Sequence, residues 1–225
     1  MKFNIKEITR RGFIATTVKT TLGGYLAFSY GSAIAAVLDQ KDTRIGLIYA
    51  SRYGATADNA AWIAKGAGLD VTLLDIEAIN VSSVINRYDR FIVGSGVWRE
   101  GIHEAIRTMM TKYAAVFDEK LIASFVVCGT QPDSEENKAR IAGYFSGIHD
   151  PLKQPPLLSQ ALGGRLRVES LSEQDYELLS NFYHNILKTE LANWDRTDPA
   201  AARSFGEQTN RQIRSVQTRR ASGAV

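Results

Sequence analysis

The chain has 225 residues, 44% hydrophobic and 23% charged, which is enough for one ordinary core with additional segments at its ends. Its net charge of +3 comes from the ends, because residues 1–35 hold five Lys or Arg against one acid and residues 195–225 hold six against three. The middle is acidic overall, so the charge does not indicate a nucleic-acid partner, and the single Cys128 excludes an internal disulfide and a cysteine metal cluster.

The first 35 residues have the layout of an export signal. Four basic residues fall between positions 2 and 11, and an acid-free stretch from Phe13 to Val37 follows, with small residues at 33–35 for cleavage. The run from Thr9 to Ile14 resembles the twin-arginine signal. We therefore predict a twin-arginine signal peptide over residues 1–35, contact with the twin-arginine export machinery, and a periplasmic or other extracytoplasmic location. An uncleaved anchor and a chance arginine pair are the alternatives.

From residue 43 onward, strand-like and helix-like segments alternate. Strands are predicted at 44–50, 70–76, 90–94, 121–128 and 165–171. Helices are predicted at 56–65, 81–86, 102–117, 134–145 and 173–187. The segments at 90–94 and 121–128 are nearly continuous apolar runs, typical of central parallel strands. The pattern predicts an α/β fold over residues 43–190, a doubly wound five-stranded parallel sheet with helices on both faces.

Ligands of such sheets bind beyond the carboxyl ends of the strands, where the winding reverses. The loop after the first strand consists of Ser51, Arg52, Tyr53, Gly54, Ala55 and Thr56. It combines a glycine for a sharp turn, two hydroxyl groups and the amino end of a helix, which are the parts of a phosphate site, although an ordinary helix cap is the alternative. The loop resembles the flavodoxin phosphate loop, which holds the phosphate of FMN, with Tyr53 in place of a second hydroxyl residue.

Two further loops suit the flavin ring that this resemblance implies. The loop after the third strand includes Ser95, Gly96, Val97, Trp98 and Arg99. Small residues allow close backbone approach to a flat ring, and an aromatic side chain can cover its plane, although Trp98 as a lid over the core is the alternative. After the fourth strand, Gly129 and Thr130 could offer backbone N–H groups to the ring, whereas Cys128 is expected to be a core residue. The three loops together predict an FMN site.

The resemblance extends to a particular group within the flavodoxin-like proteins. The stretch from Tyr88 to Val97, followed by Arg99 and by His103 to Ala105, resembles the flavodoxin-domain protoporphyrinogen oxidases of the menaquinone-dependent type, as does the stretch from Ala161 to Leu166. The similarity covers residues 43–190. It implies that FMN takes electrons from a substrate and passes them to a quinone or to a redox partner protein.

The sequence thus predicts an exported FMN-binding oxidoreductase, whose catalytic residues it does not assign. A flavodoxin-type electron carrier is one alternative, although the core is only mildly acidic. A flavin-free binding protein is another, suggested by Tyr53 and by the lack of an obvious acid–base pair. Residues 195–225 are expected to form a basic, disordered tail, with contact to an anionic membrane surface as the alternative.

Overall fold

The computed structural model describes residues 43–68, 70–99 and 101–221, with side chains described as far as residue 215. The export signal predicted over residues 1–35 lies outside the described residues. In the part of the chain that is described, no helix combines the length and the apolar character needed to cross a membrane.

Five parallel strands form the main sheet, in the spatial order β2-β1-β3-β5-β6. These strands are β1 (Ile45–Ala50), β2 (Val71–Asp75), β3 (Arg90–Trp98), β5 (Leu121–Cys128) and β6 (Leu158–Gly163). A two-residue strand, β4 (Gly101–Ile102), pairs antiparallel with the end of β3. Two more short strands, β7 (Arg165–Leu166) and β8 (Trp194–Asp195), form a separate antiparallel pair. The winding reverses between β1 and β3, because the chain passes from β1 outward to β2 and returns on the other side of β1.

Helices cover both faces of the sheet. They are α1 (Ala55–Ala67), α2 (Val81–Val84), α3 (Glu104–Lys112), α4 (Ala114–Lys120), α5 (Glu135–Tyr144), α6 (Ser146–His149), α7 (Glu173–Phe182) and α8 (Pro199–Ala221). A π-helical turn (Tyr183–Leu187) extends α7. Side chains of α1 and α8 belong to one buried apolar cluster, and side chains of α3 and α5 belong to the other. The predicted doubly wound parallel sheet with helices on both faces is confirmed.

The central strands are apolar because both of their faces are buried. Every residue of β5 is buried, because helices cover both of its faces. In β1, Ile45 and Leu47 contribute to the cluster below α1 and α8, whereas Ile48 contributes to the opposite cluster. Gly94 of β3 is required by packing, since a Cβ there would lie 2.0 Å from the ring of Phe125. The sheet is thus held by side chains that alternate between two apolar layers.

The fifth predicted strand and the predicted helix at 102–117 differ from the structure. The fifth strand was placed at 165–171, but the edge strand of the sheet is β6, which pairs with β5 from Ala123 opposite Leu158 to Cys128 opposite Gly163. As an edge strand, β6 has few buried residues, so its sequence lacks the continuous apolar run that marks a central strand. The helix predicted at 102–117 is divided at Tyr113, where φ is −115°.

The prediction of a disordered tail is wrong for the described residues of 195–225, because α8 packs tightly against α1. Four side chains form its buried stripe, namely Ala202, Phe205, Thr209 and Ile213. A Cβ on Gly206 would lie 2.1 Å from the carbonyl oxygen of Ile63, so the two backbones are in direct contact. The stripe has helical spacing, but the surrounding polar and basic residues obscure it in the sequence. The folded unit therefore extends beyond residue 190.

Replacing Phe205 by Ala tests the packing of α8. The Phe205 side chain is 1% exposed, so Phe205→Ala should lower the free energy of unfolding by about 3–5 kcal/mol through lost burial and the cavity left behind. Urea unfolding followed by circular dichroism measures this change. Arg211→Ala, at an exposed position of the same helix, is the matched control and should change the stability by less than about 0.5 kcal/mol. Equal stabilities of the two variants would contradict a packed α8.

Candidate functional site

The carboxyl ends of β1 and β3 lie side by side at the reversal of winding, with Ala50 opposite Ser95. From β1 the chain enters α1 through Gly54, whose φ of 86° lies in the left-handed region that favours glycine. The N–H of Ala57 donates to Oγ of Ser51, at 3.2 Å. The N–H groups of Ala55 and Thr56 have no acceptor within the helix, as in every first turn. This loop therefore has the backbone geometry of an anion site.

The end of β3 contacts this first turn directly. A Cβ on Gly96 would lie 2.8 Å from Oγ1 of Thr56, so only glycine allows the strand to pass so close. The neighbouring Ser95 is fully buried. Its hydroxyl donates to the carbonyl of Gly96 and accepts the N–H of His103, both at 2.9 Å. Predicted residues of the loops after the first and third predicted strands are thus brought together.

Beyond Gly96 the chain forms a hairpin and not a loop. Val97 pairs with Ile102 and Trp98 pairs with Gly101, so β3 continues four residues past its predicted end. Arg99 occupies the turn with a φ of 51°, an uncommon conformation for a residue with a side chain. The hairpin gives Trp98 a fixed position at the edge of the sheet.

Trp98 belongs to a cluster with Arg52, Tyr53 and Asp175, which we call the arginine cluster. The guanidinium carbon of Arg52 lies 4.9 Å from the centre of the Trp98 ring, and the Tyr53 ring centre lies 5.8 Å from it. Arg52 donates to the Asp175 carboxylate from Nε at 2.7 Å and from Nη2 at 2.8 Å. The Tyr53 hydroxyl donates to the same carboxylate. The side chain of Asp175 is thus saturated by two residues of the first loop.

Asp175 was not among the residues selected from the sequence. It lies in the first turn of α7, whose N-cap is Ser172, and Oγ of Ser172 accepts the N–H of Asp175 at 3.2 Å. In the sequence, a serine three positions before an aspartate indicates only the start of a helix. Its contact with Arg52 spans 123 positions along the chain, and no local pattern reports such a distance.

The arginine cluster changes the pKa values of its members. Burial raises the pKa of Asp175, but the hydrogen bonds from Tyr53 and Arg52 outweigh burial, so that the pKa lies below its usual 3.8. For Arg52, burial lowers the pKa, and the bond to Asp175 reverses this effect and raises it. Both groups are therefore charged at neutral pH.

The lowered pKa of Asp175 predicts a pH-dependent stability. The contribution of the carboxylate is complete above the unfolded pKa and is lost as the pH falls through the lower folded pKa. At pH 7, Asp175→Asn should reduce the free energy of unfolding by about 1–3 kcal/mol. This difference from wild type should shrink below pH 4. Urea unfolding between pH 7 and pH 3 measures it, and a difference independent of pH would contradict the assignment.

A second cation, Arg165, lies beside the first loop. It forms an ion pair with Asp58 of α1, and its Nη2 lies 3.5 Å from where a Cβ of Gly54 would be. The side chain is only 16% exposed. Its buried Nε donates to no described residue. A guanidinium group that is paired with a carboxylate is therefore fixed against the turn that begins α1.

The loop after β5 is covered by residues near the carboxyl end of the chain. Trp194 packs on Gly129, since a Cβ there would lie 2.9 Å from the indole ring. The carbonyl of Gly129 accepts a hydrogen bond from the guanidinium of Arg196, which also lies 5.0 Å from the Trp194 ring centre. The hydroxyl of Thr130 lies 3.0 Å from that of Tyr144. Cys128 is buried, as expected of a core residue.

Residues 164–198 connect β6 to α8, and we call them the connecting segment. Its two ends are held together by the pairing of Arg165 with Asp195 and of Leu166 with Trp194. From this base the segment supplies Asp175 and Arg165 to the first loop, and Trp194 and Arg196 to the loop after β5. None of these four residues was predicted as a site residue, because Arg165 was assigned to a strand, Asp175 to a helix and Arg196 to a disordered tail, and Trp194 to no element.

The fold and the site define an α/β protein with a candidate anion-binding loop at the switch point of a doubly wound parallel sheet. A family model described as a flavodoxin domain matches residues 46–186, well over half of the chain. The protein therefore belongs to the flavodoxin domain family.

Among curated proteins, none matches the chain. A flavodoxin from the domain Archaea is 13% identical over 76% of this chain and 99% of its own, with a TM-score of 0.45. A WrbA-like flavodoxin from Agrobacterium tumefaciens is 13% identical over 78% and 98%, with a TM-score of 0.43. A flavodiiron core from Synechocystis is 20% identical over 83% of this chain but 40% of its own, with a TM-score of 0.44.

Proposed function

We propose that this protein is an exported FMN-dependent oxidoreductase that passes electrons from a reduced substrate to a quinone. The observation that carries the proposal is the contact between the first turn of α1 and the end of β3, at the switch point of a flavodoxin domain. Ligands of doubly wound sheets bind at this place.

The first loop fits a phosphate group. The N–H groups of the α1 first turn, the left-handed Gly54 and the hydroxyl of Thr56 would hold the FMN phosphate. Arg165 lies beside this turn, in an ion pair with Asp58 of α1. The guanidinium of Arg52 is engaged by Asp175, so the phosphate would be held mainly by backbone groups. This agrees with a loop in which Tyr53 replaces a second hydroxyl residue.

The remaining predicted residues fit a flat ring. Tyr53 and Trp98 provide aromatic surface beside the loop, and Ser95 and Gly96 allow close backbone approach. The loop at Gly129, on which Trp194 packs, would be the third side of the proposed site. When bound, FMN supplies the electron or hydride transfer chemistry, and the protein binds and orients the cofactor.

Export and the quinone partner complete the proposal. The twin-arginine signal predicted over residues 1–35 belongs to a route that carries folded proteins, so a noncovalent cofactor would be bound before the membrane is crossed. The resemblance to menaquinone-dependent protoporphyrinogen oxidases supports a quinone as the electron acceptor. A redox partner protein is the alternative acceptor, and the location would be periplasmic, with the membrane surface nearby.

The first test is the cofactor of the purified mature protein. We expect a yellow protein that releases FMN on denaturation, identified by absorbance and mass, and an apo-protein that takes FMN up again. With protoporphyrinogen, the electron donor that the resemblance implies, and a soluble menaquinone analogue as the electron acceptor, an oxidoreductase should show steady turnover, whereas an electron carrier should not oxidise the donor. A colourless protein that does not take up FMN would contradict the proposal.

Two glycines with left-handed backbones provide a matched test of the phosphate loop. Gly54 has a φ of 86° at the start of α1, and Gly68 has a φ of 60° after its end. Replacement by Ala should strain each backbone by about 1–2 kcal/mol. Only Gly54→Ala should also weaken FMN binding, by about tenfold. Fluorescence titration of the apo-proteins measures this effect, and equal FMN affinities for the two variants would contradict the loop assignment.

A further inference from the structure

The arginine cluster joins the first loop to the start of α7. Arg52 and Tyr53 immediately precede Gly54 in the first loop, and both side chains end on one carboxylate, that of Asp175. Asp175 is 3% exposed. A buried charge is retained only where several donors compensate its loss of water, and here Arg52 and Tyr53 are those donors.

We propose that Asp175 is a positioning residue of the cofactor site, which fixes Arg52 and Tyr53 and thereby the shape of the first loop. The inference rests on the proposed function, since it concerns the binding of the same FMN. Through Arg52 the effect reaches Trp98, whose ring lies 4.9 Å from the guanidinium carbon. Asp175 thus orders both aromatic side chains that the proposed function assigns to the flavin ring.

Asp175 is itself held in place from both sides. Oγ of Ser172 accepts its N–H, and the N–H of Ser172 donates to the hydroxyl of Tyr53 at 3.3 Å. The start of α7 and the first loop are therefore joined by a closed set of hydrogen bonds. Fixing a loop in its bound conformation before the ligand arrives strengthens binding, because less conformational freedom remains to be lost.

The rest of α7 contributes little apolar contact to this attachment. Asp175 is the buried residue of the helix, whereas Tyr176 and Phe182 are 48% and 39% exposed. The described polar contacts that attach the helix to the site are therefore those of the arginine cluster. Because coupling between two events is reciprocal, FMN binding should in turn stabilise the docked position of α7.

If the Asp175 carboxylate instead acted directly on FMN, its removal would change the FMN affinity in the opposite direction. An anion beside a phosphate dianion is repulsive, and its removal would release the Arg52 guanidinium to attract the phosphate. Positioning and charge repulsion therefore predict opposite changes in affinity. Riboflavin separates them further, because it has the flavin ring without the phosphate.

The experiment measures the dissociation constants of FMN and of riboflavin for the apo-proteins of wild type, Asp175→Ala and Asp175→Asn, by flavin fluorescence. We expect Asp175→Ala to weaken both flavins by about tenfold, and the isosteric Asp175→Asn to weaken both by less. If the Ala variant does not fold, the dissociation constants of the Asn variant test the inference. Glu177→Ala, at an exposed position of the same helix, is the control and should bind both flavins as wild type does.

Non-additivity provides a readout that general destabilisation would not give. If Asp175 acts through Arg52 and Tyr53, adding Asp175→Ala to a protein that already has Arg52→Ala and Tyr53→Phe should weaken binding by much less than it does in wild type. Full additivity would overturn the inference. Unchanged affinities, or tighter FMN binding with riboflavin unchanged, would also overturn it. A wild type that binds neither flavin would overturn the proposed function and this inference together, whereas the other outcomes leave the proposed function intact.

Discussion

The parallel pairing of β1 with β3 is the constraint on which the rest of the structure depends. Their register, from Ile45 opposite Arg90 to Ala50 opposite Ser95, brings both strands to the same edge of the sheet. The first turn of α1 and the end of β3 therefore meet at the switch point, and Gly96 permits contact with Thr56. Side chains from both apolar layers hold this register, because a slip by one residue would exchange the faces of every side chain.

The position of α1 depends on the helix beside it. Its backbone touches that of α8, since a Cβ on Gly66 would lie 2.0 Å from the carbonyl oxygen of Arg203. The side chain of Phe205 of α8 is buried in the cluster that includes Ile63 of α1 and Phe125 of β5. The contact between α1 and α8 therefore also fixes the position of the amino end of α1, where the first N–H groups have no acceptor within the helix. The candidate anion site and the carboxyl-terminal helix are parts of one packing arrangement.

Polar contacts, in contrast, attach the connecting segment to the site. Asp175 and Arg165 form ion pairs with Arg52 and Asp58, so each charge has a partner where water is partly excluded. Packing of the Trp194 ring on Gly129 and a hydrogen bond from Arg196 to the carbonyl of Gly129 hold the other end of the segment at the loop after β5. The loops that would hold the cofactor are therefore shaped by residues between the last strand of the sheet and the last helix.

The sequence by itself determined the local elements. Continuous apolar residues identified 121–128 as a central strand, and the glycine and hydroxyl residues of 51–56 identified a loop that enters a helix. These features depend on neighbours in the chain, so a short window contains the information. The whole of the loop after β1 and the small residues of β3 could be selected in this way.

Only the tertiary structure decided what these elements contact. The edge strand 158–163 lacked an apolar run, and the buried stripe of α8 was obscured by polar and basic residues on its exposed side. Asp175 contacts Arg52 across 123 positions of the chain, and Trp194 contacts Gly129 from a distant part of the sequence, so neither contact leaves a local pattern. The physical reason is that a buried charge is stabilised by partners that are distant in the sequence, whereas a strand or a turn depends on its own residues.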